Sequence, residues 1–479
     1  MSDLDPRTPV LVGVGTASEP TEPSELMALA VENAARDAGS RSLLASIDRI
    51  AVPTGTWGYR DPGRLVADRV GATAARTHLG EVGVSQQTLV SQALRAIGAG
   101  RCEVAVVTGA DARAWARAGG VETTQPGAAP DELHTREPEF LAPPELAAGI
   151  AAPVQQYAMI DNALRRAEGG TIAAHRAEVA ALWARCNLVA RDNPLAAFPA
   201  PRTAVDIDTP GPSNRPLAFP YNKWHASQWT VDQGAALILC SAGAARRHGV
   251  PPDRWVFPLV GVDADHSVAL SRRRLLHRWP AMGVLGRAAA QRIGRPLAEA
   301  EVIEVYSCFP AAVRVQQREL GLPLDGTPTV TGGMAFAGGP FNNYVYQATA
   351  AVVAAVRATP GRLGLVTTVC GLLTKPGLAV WCAEPDGRPP LVDDLGPAAD
   401  RATPQVTVLD AHRGKATVAT YTVTFDATTM APSRLAVIAD TGAGERCVAV
   451  ADDPGLAAAA TATEFCGATI EVCGQSFTA

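Results

Sequence analysis

The sequence predicts a layered α/β protein built from two similar halves, with a large insertion in the first half and a small all-β barrel at the C-terminus. Three observations carry this. Apolar strand-like runs alternate with amphipathic helical segments over residues 8–112, and again over residues 256–384. Residues 113–232 break that rhythm with Pro/Glu-rich loops. Beyond a Pro/Asp/Gly-rich stretch the chain turns to short alternating strands between turn signals.

Taken in order, PVLVGVGT reads as a buried strand that leaves through Gly13 and Gly15, followed by a helix over 22–38. RIAVPTG and THLGEVGVS read as strands around the helix RLVADRVG, and the helix QQTLVSQALRAIGAG precedes the strand EVAVVTGA. This alternation implies right-handed crossovers and a sheet covered on both faces. In the insertion, TIAAHRAEVAALWARCNLVARD is a long helix, with His175 among Ala and Arg reading as a surface residue. GAALILCS returns to buried-strand composition. WVFPLVGVDA then opens a second set of strands (EVIEVYS, RLGLVTTVC, LAVWCAE) and helices (MGVLGRAAAQRIG, AAVRVQQREL, NNYVYQATAAVVAAVRA) around the glycine-rich loop TGGMAFAGGP. The two sets match in order, which suggests duplication of a five-strand unit. The tail strands QVTVLDA, KATVATYTVTF, RLAVIAD, RCVAVAD and ATIEVCG fit a closed barrel, since closure removes exposed edges. The expected boundaries are 1–112 with 233–255 for the first half, 113–232 for the insertion and 256–384 for the second half. A linker is expected over 385–404 and the barrel over 405–479.

Composition narrows the function classes. A chain of 479 residues, 47% hydrophobic, with 44 Gly and 37 Pro in no fixed period, is neither disordered nor collagen-like. A net charge of −5 lacks the electrostatic footprint of a nucleic-acid binder. The nine cysteines form no CxxC and no zinc-finger spacing, and no Walker motif or paired metal-ligand cluster is visible, so no metal is expected. Scattered thiols in apolar runs suit a reducing compartment. MSDLDPRT has no signal-peptide character, and no apolar run reaches the ~20 residues that span a bilayer, so a cytoplasmic protein is expected.

The α/β–insertion–α/β layout, with TGGMAFAGGP and TTVCG, resembles the thiolase superfamily over roughly residues 8–383. The best-matching group is thiolase-like protein type 1, related to sterol-carrier-type thiolases and bearing an extra C-terminal domain. The resemblance implies a duplicated α/β/α/β/α body, an acyl-CoA thioester as substrate or ligand, no tightly bound cofactor, and four catalytic loops. The first loop should place a nucleophilic cysteine at a helix N-terminus, where the dipole lowers its pKa. Here GEVGVSQQTLVSQALRAI has no cysteine. Ser85 is the one candidate, and a plain N-cap is the favoured reading of it. In the second loop, EVYSCFP, Cys308 is kept while Tyr306 and Ser307 replace the family's His and Asp. Tyr306 is either an oxyanion-side hydrogen-bond donor or a packed strand-end tyrosine. In the third, AGGP, Gly339 beside Gly338 stands where the family has its histidine base, and Tyr344 opens the next helix. In the fourth, Cys370 and Gly371 match the acid/base Cys-Gly, with Lys375 near enough in sequence to lower the thiol pKa; an inert buried thiol is the alternative.

Lys223 and Trp224, in PYNKWHASQW, match the insertion that cradles coenzyme A in thiolases, and read otherwise as a turn before a strand. Arg272, Arg273, Arg274 and Arg278 read as a solvated basic face. The acidic, aromatic-poor tail resembles an OB-like docking domain without a nucleic-acid role. Relatives dimerise through the body, so a homodimer is an expectation unless the extra domain covers that surface. Acyl transfer by the usual route is doubtful without the nucleophile and base. Retro-aldol cleavage of a β-hydroxyacyl-CoA through tyrosines, as in some relatives, and non-catalytic thioester binding are the alternatives.

Overall fold

The computed structural model describes residues 4–136 and 140–479. The first half is a six-stranded sheet of β1 (Pro9–Ala17), β2 (Arg49–Pro53), β3 (Arg76–Gly80), β4 (Val104–Ala112), β5 (Glu132–His134) and, after the insertion strands β6 (Pro216–Ala218) and β7 (Tyr221–Asn222), β8 (Asp232–Ser241). The order is β1-β8-β4-β2-β3-β5. All strands run parallel except β8, which lies antiparallel between β1 and β4 because the insertion returns the chain to the end where β4 left the sheet, with Asp232 opposite Ala112. The second half repeats this pattern with β9 (Phe257–Asp263), β10 (Val302–Glu304), β11 (Leu363–Cys370) and β12 (Lys375–Cys382), in the order β10-β11-β12-β9, with β12 antiparallel to both neighbours.

The duplication is therefore six strands against four rather than five against five. Beside the end of β10 lies irregular backbone, anchored where the Val305 N–H donates to the Pro328 carbonyl at 2.9 Å. EVIEVYS is accordingly a strand over three residues only, because Glu304 turns its carboxylate into that loop.

Two helices, Gln86–Gly98 and Tyr344–Ala358, pack between the sheets, and their apolar faces share one core with Ala105, Leu237, Val366 and Ala379. Pro23–Asp37 covers the outer face of the first sheet and Pro280–Ile293 that of the second. Gly15 permits the first of these contacts: a Cβ there would sit 2.1 Å from the Ala30 carbonyl oxygen. The result is five layers, α/β/α/β/α.

The C-terminal strands β13 (Val408–Leu409), β14 (His412–Phe425), β15 (Pro432–Thr441), β16 (Arg446–Ala451), β17 (Thr469–Gly474) and β18 (Ser476–Thr478) contain a closed five-strand ring. It runs β14-β15-β16-β18-β17 and back to β14. A helix, Pro454–Ala462, is added to the expected all-β module, capped by the Asp453 carboxylate. The barrel is built into the body: β6 of the insertion pairs with β14 at Ala218 and Thr424. The Thr420 hydroxyl donates to the Met159 carbonyl, and Asn162 Nδ2 to the Tyr421 carbonyl at 2.8 Å. Residues 385–404 are not a free linker. Leu391 and Asp394 bridge to Val260 and Asp263, and the helix Gly396–Ala402 packs on Pro280–Ile293, because the apolar Leu391 and Ala399 are better buried than exposed.

Two surface expectations are corrected. His175 is buried, its Nε2 3.1 Å from Asp161 Oδ2 and its ring against the Arg314 guanidinium. The ion network satisfies a histidine that helical spacing alone cannot distinguish from a surface one. Arg273 is likewise buried, donating to the Val268 and Leu372 carbonyls, and burial lowers its pKa to about 10. Arg272, Arg274 and Arg278 are exposed, the last paired with Glu319.

Candidate functional site

The strand ends of the second half and the loop 81–85 of the first meet at Cys370. This residue ends β11, and the Thr374 hydroxyl donates to its carbonyl at 2.8 Å, closing the turn into β12. Gly371 adopts φ +76° with Phe140 against it, so a Cβ would lie 2.4 Å from that ring. The Gly83 backbone amide faces the Cys370 sulfur, and Tyr306 lies close enough to both Cys308 and Cys370 to raise its own pKa. Tyr306, Cys308, Cys370 and Gly371 each keep partial exposure, whereas their surroundings are buried. They form one cluster at the strand ends.

Sequence reasoning missed Tyr157, from the insertion helix Pro153–Glu168. Its hydroxyl approaches the Gly371 carbonyl (3.4 Å) and bonds to Cys308, while its ring stacks on Phe309 with centroids 4.7 Å apart. No motif marks it, and only tertiary contact brings it here.

Burial dominates the electrostatics. It pushes Cys308 up to about 12 and Cys370 up to about 11, against the opposing pull of Lys375 and the Gly83 amide. The expected thiol activation by Lys375 is outweighed, since that ammonium sits 2.9 Å from the Asp265 carboxylate. Burial also raises the phenols of Tyr306 and Tyr157, so both are hydrogen-bond donors at neutral pH, not bases.

Ser85 occupies the N-cap position of the helix Gln86–Gly98 but makes no side-chain cap bond, and its buried hydroxyl has no partner. At Gly338 and Gly339, where the resemblance places the base, the glycine-rich loop is tightly packed. A Cβ on Gly339 would lie 1.9 Å from Ser227 Oγ, and one on Gly338 would lie 2.4 Å from Gln233 Oε1. Ser307, next to Cys308, accepts the Met334 amide at 3.0 Å and holds this loop in place.

The Tyr344 hydroxyl turns away from the Cys370 cluster. Its hydroxyl donates to Glu304 Oε1 at 2.6 Å and contacts the Thr331 hydroxyl at 2.8 Å, and its ring lies edge-on to Tyr306 with centroids 5.8 Å apart. A buried carboxylate takes precedence over an open cleft as partner for a phenol.

Lys223 and Trp224 lie in a different place. Trp224 is stacked beneath the Arg202 guanidinium (3.5 Å to the ring centroid), with Lys223 Nζ at 4.8 Å. It forms one wall of a surface concavity of about 450 Å³ that also takes in Pro201, Asp206 and Asn214. The next residues run back toward the first cluster, where the Ser227 amide donates to the Cys308 carbonyl at 2.9 Å. No helix among the described residues is long and apolar enough to cross a membrane.

The layer order, the topologically paired halves and the four converging loops define the fold of the thiolases. Residues 397–475 match the family model of the thiolase-like protein type 1 additional C-terminal domain. Among solved structures, the chain is similar to a monomeric SCP2-thiolase-like protein type 1 from Mycobacterium smegmatis, at 28% identity, 98% coverage of both chains and TM-score 0.84. It also resembles the Ltp2–ChsH2(DUF35) aldolase (21%, 79% of this chain and 99% of that one, TM-score 0.60). Human mitochondrial 3-ketoacyl-CoA thiolase is a further match (16%, 79% and 100%, TM-score 0.56). Comparison with curated proteins finds no match. Residues 397–475 thus form the additional C-terminal domain of thiolase-like protein type 1, and the chain as a whole has the fold of an SCP2-thiolase-like protein of that type.

Proposed function

We propose that this protein binds an acyl-CoA thioester without performing the acyl transfer of a conventional thiolase. The observation that carries this is Gly339: the position that the resemblance assigns to the base has no side chain, and a Cβ there would meet Ser227 Oγ at 1.9 Å, so no base stands there to deprotonate Ser85. The cluster around Cys370 offers the Tyr306 phenol as a hydrogen-bond donor to a thioester oxygen. The concavity beside Trp224 supplies the Arg202 guanidinium, stacked on the buried indole, as a cation for the phosphates of coenzyme A.

Calorimetric titration with acetyl-CoA and longer acyl-CoAs tests the reading. Saturable heat is expected, weakened about tenfold or more by Trp224→Ala or Arg202→Ala. No heat across the series overturns it. A thiolysis assay with a 3-oxoacyl-CoA is expected to show no turnover.

Retro-aldol cleavage of a β-hydroxyacyl-CoA is a second reading. It is favoured by Tyr157 and Tyr306 flanking Cys308 and by the barrel bracing the helix that carries Tyr157. The raised phenol pKa values count against either as the base, which is why binding stands first. Cleavage that is abolished in Tyr306→Phe would reverse that order.

A further inference from the structure

Far along the first sheet from β1, three side chains that no motif connects converge at its β5 edge. The parallel register sets His78 of β3 opposite Glu132 of β5, and Gly80 opposite His134. Glu132 and His134 are two residues apart and so share a face. Nothing in the spacing announces the cluster, since His78 and His134 are separated by 56 positions. The expectation of no metal-ligand group therefore has to be revised at this point.

His78 Nδ1 lies 3.4 Å from His134 Nε2 and 3.1 Å from Glu132 Oε2, and the third edge, His134 Nε2 to Glu132 Oε2, is 3.9 Å. The ligand edge of a tetrahedral zinc site with Zn–N near 2.05 Å is about 3.3 Å. Two of the three edges already match that length. The third needs a shift of a few tenths of an ångström from Glu132 or His134, the two more exposed members, whose side chains are 41% and 22% exposed against 3% for His78. The two imidazole rings lie nearly parallel, 8° apart, with their centroids 5.6 Å apart. The second carboxylate oxygen, Glu132 Oε1, is engaged by Arg76 Nη2 at 3.3 Å, which turns Oε2 toward the histidines as an outer-shell partner does. The Arg49 guanidinium, held by Gln92 at 3.0 Å, and the Arg136 guanidinium are further positive charges close to His134.

The geometry points to a divalent transition-metal site of His78, Glu132 and His134, with a fourth position open to water at the sheet edge. Two imidazoles and one carboxylate form a borderline donor set that suits Zn²⁺ and its first-row neighbours and is a poor match for Ca²⁺ or Mg²⁺. Bound there, the ion ties β5 to β3. It also steadies the loop before Ser85, because the His134 carbonyl accepts the Glu81 amide at 2.9 Å. The site does not depend on the thioester reading.

The test uses the full chain with Cys473→Ser, which removes the exposed thiol as a competing ligand. Zn²⁺ is titrated calorimetrically in a non-coordinating buffer, and Co²⁺ serves as the optical probe. The expected result is one ion per chain, Co²⁺ visible bands of low-symmetry N/O coordination, and their loss on adding Zn²⁺. His134→Ala and Glu132→Gln, whose folding is checked by thermal melting, are each expected to weaken Zn²⁺ by more than about 100-fold, beyond the 10- to 100-fold of an outer-shell change. Zn²⁺ is expected to slow amide exchange over 131–136 in the parent chain only. Absence of stoichiometric binding, or binding unchanged in both variants, reduces the cluster to hydrogen bonds and overturns the proposal.

Discussion

The two halves of the body share strand order and the antiparallel central strand, yet they finish their sheets by opposite means. In the first half, β3 is covered by β5, and the junction is stitched at the surface. Asp131 accepts the Thr77 amide at 2.7 Å, and Glu132 pairs with Arg76. In the second half there is no such strand. Irregular backbone at 329–331 is instead gathered around one buried acid, Glu304, which accepts from the Val330 and Thr331 amides, the Thr329 and Thr331 hydroxyls and the Tyr344 phenol. A strand satisfies its backbone through a ladder. A loop in the same layer needs another acceptor, and a carboxylate with two oxygens can serve several donors at once.

The contrast breaks most sharply at Glu304. Glu304→Ala leaves these donors buried and unpaired, so a loss of about 3–5 kcal/mol in denaturant unfolding is expected. Tyr344→Phe removes one donor and leaves the acid with the rest, for about 1–2 kcal/mol. Equal effects from the two variants would show that the acid is not the organising group.

Acidity then separates the halves by sign. Burial raises Glu304 above its ordinary 4.5, so folding favours its protonated form. That increment is fully present below pH 4.5 and is lost as pH rises through the folded value. The Thr77 amide and hydroxyl lower Asp131 below 3.8, so its increment is present above 3.8 and is lost as pH falls through the folded value. Stability measured from pH 3 upward should therefore change slope in opposite directions for Glu304→Gln and Asp131→Asn relative to the parent. The Asp131 effect should stay below about 1 kcal/mol, because its carboxylate is largely exposed.

Why the sequence showed so much of the frame and so little of the site follows from the same residues. Strands such as GAALILCS and helices such as NNYVYQATAAVVAAVRA declare themselves because their apolar period survives any tertiary context. The loop clamp at Glu304, the phenol of Tyr157 and the ion network at His175 depend on partners tens to hundreds of positions away, and no local pattern encodes them. Of the candidate residues, Cys370, Tyr306, Cys308 and Gly371 converge because strand-end motifs fix them. Tyr344 turns away because Glu304 claims it. Trp224 stands apart in the wall of the open concavity, with Lys223 beside its ring.

Gly339 gives a smaller break. A methyl group there collides with Ser227 Oγ, and the cost depends on how far that hydroxyl can rotate, so Gly339→Ala is expected to lose about 1–3 kcal/mol. Pairing it with Ser227→Gly should recover most of that loss. Recovery would locate the obstruction to a base in one side chain rather than in the backbone of the loop.

The smallest expected effect is the most discriminating for the first half. Ser85 sits where a nucleophile would act in this fold, but its hydroxyl is buried with no partner and caps nothing. Ser85→Ala deletes a desolvated polar atom without breaking a bond, so stability should stay within about 0.5 kcal/mol of the parent or rise slightly. A clear loss would mean that the hydroxyl is satisfied in solution, by water or by ligand, and that the helix N-terminus it guards is a working surface. The comparison would then tilt, because the first half would hold its function at the loop before Gln86, while the second half supplies only the walls around Cys370.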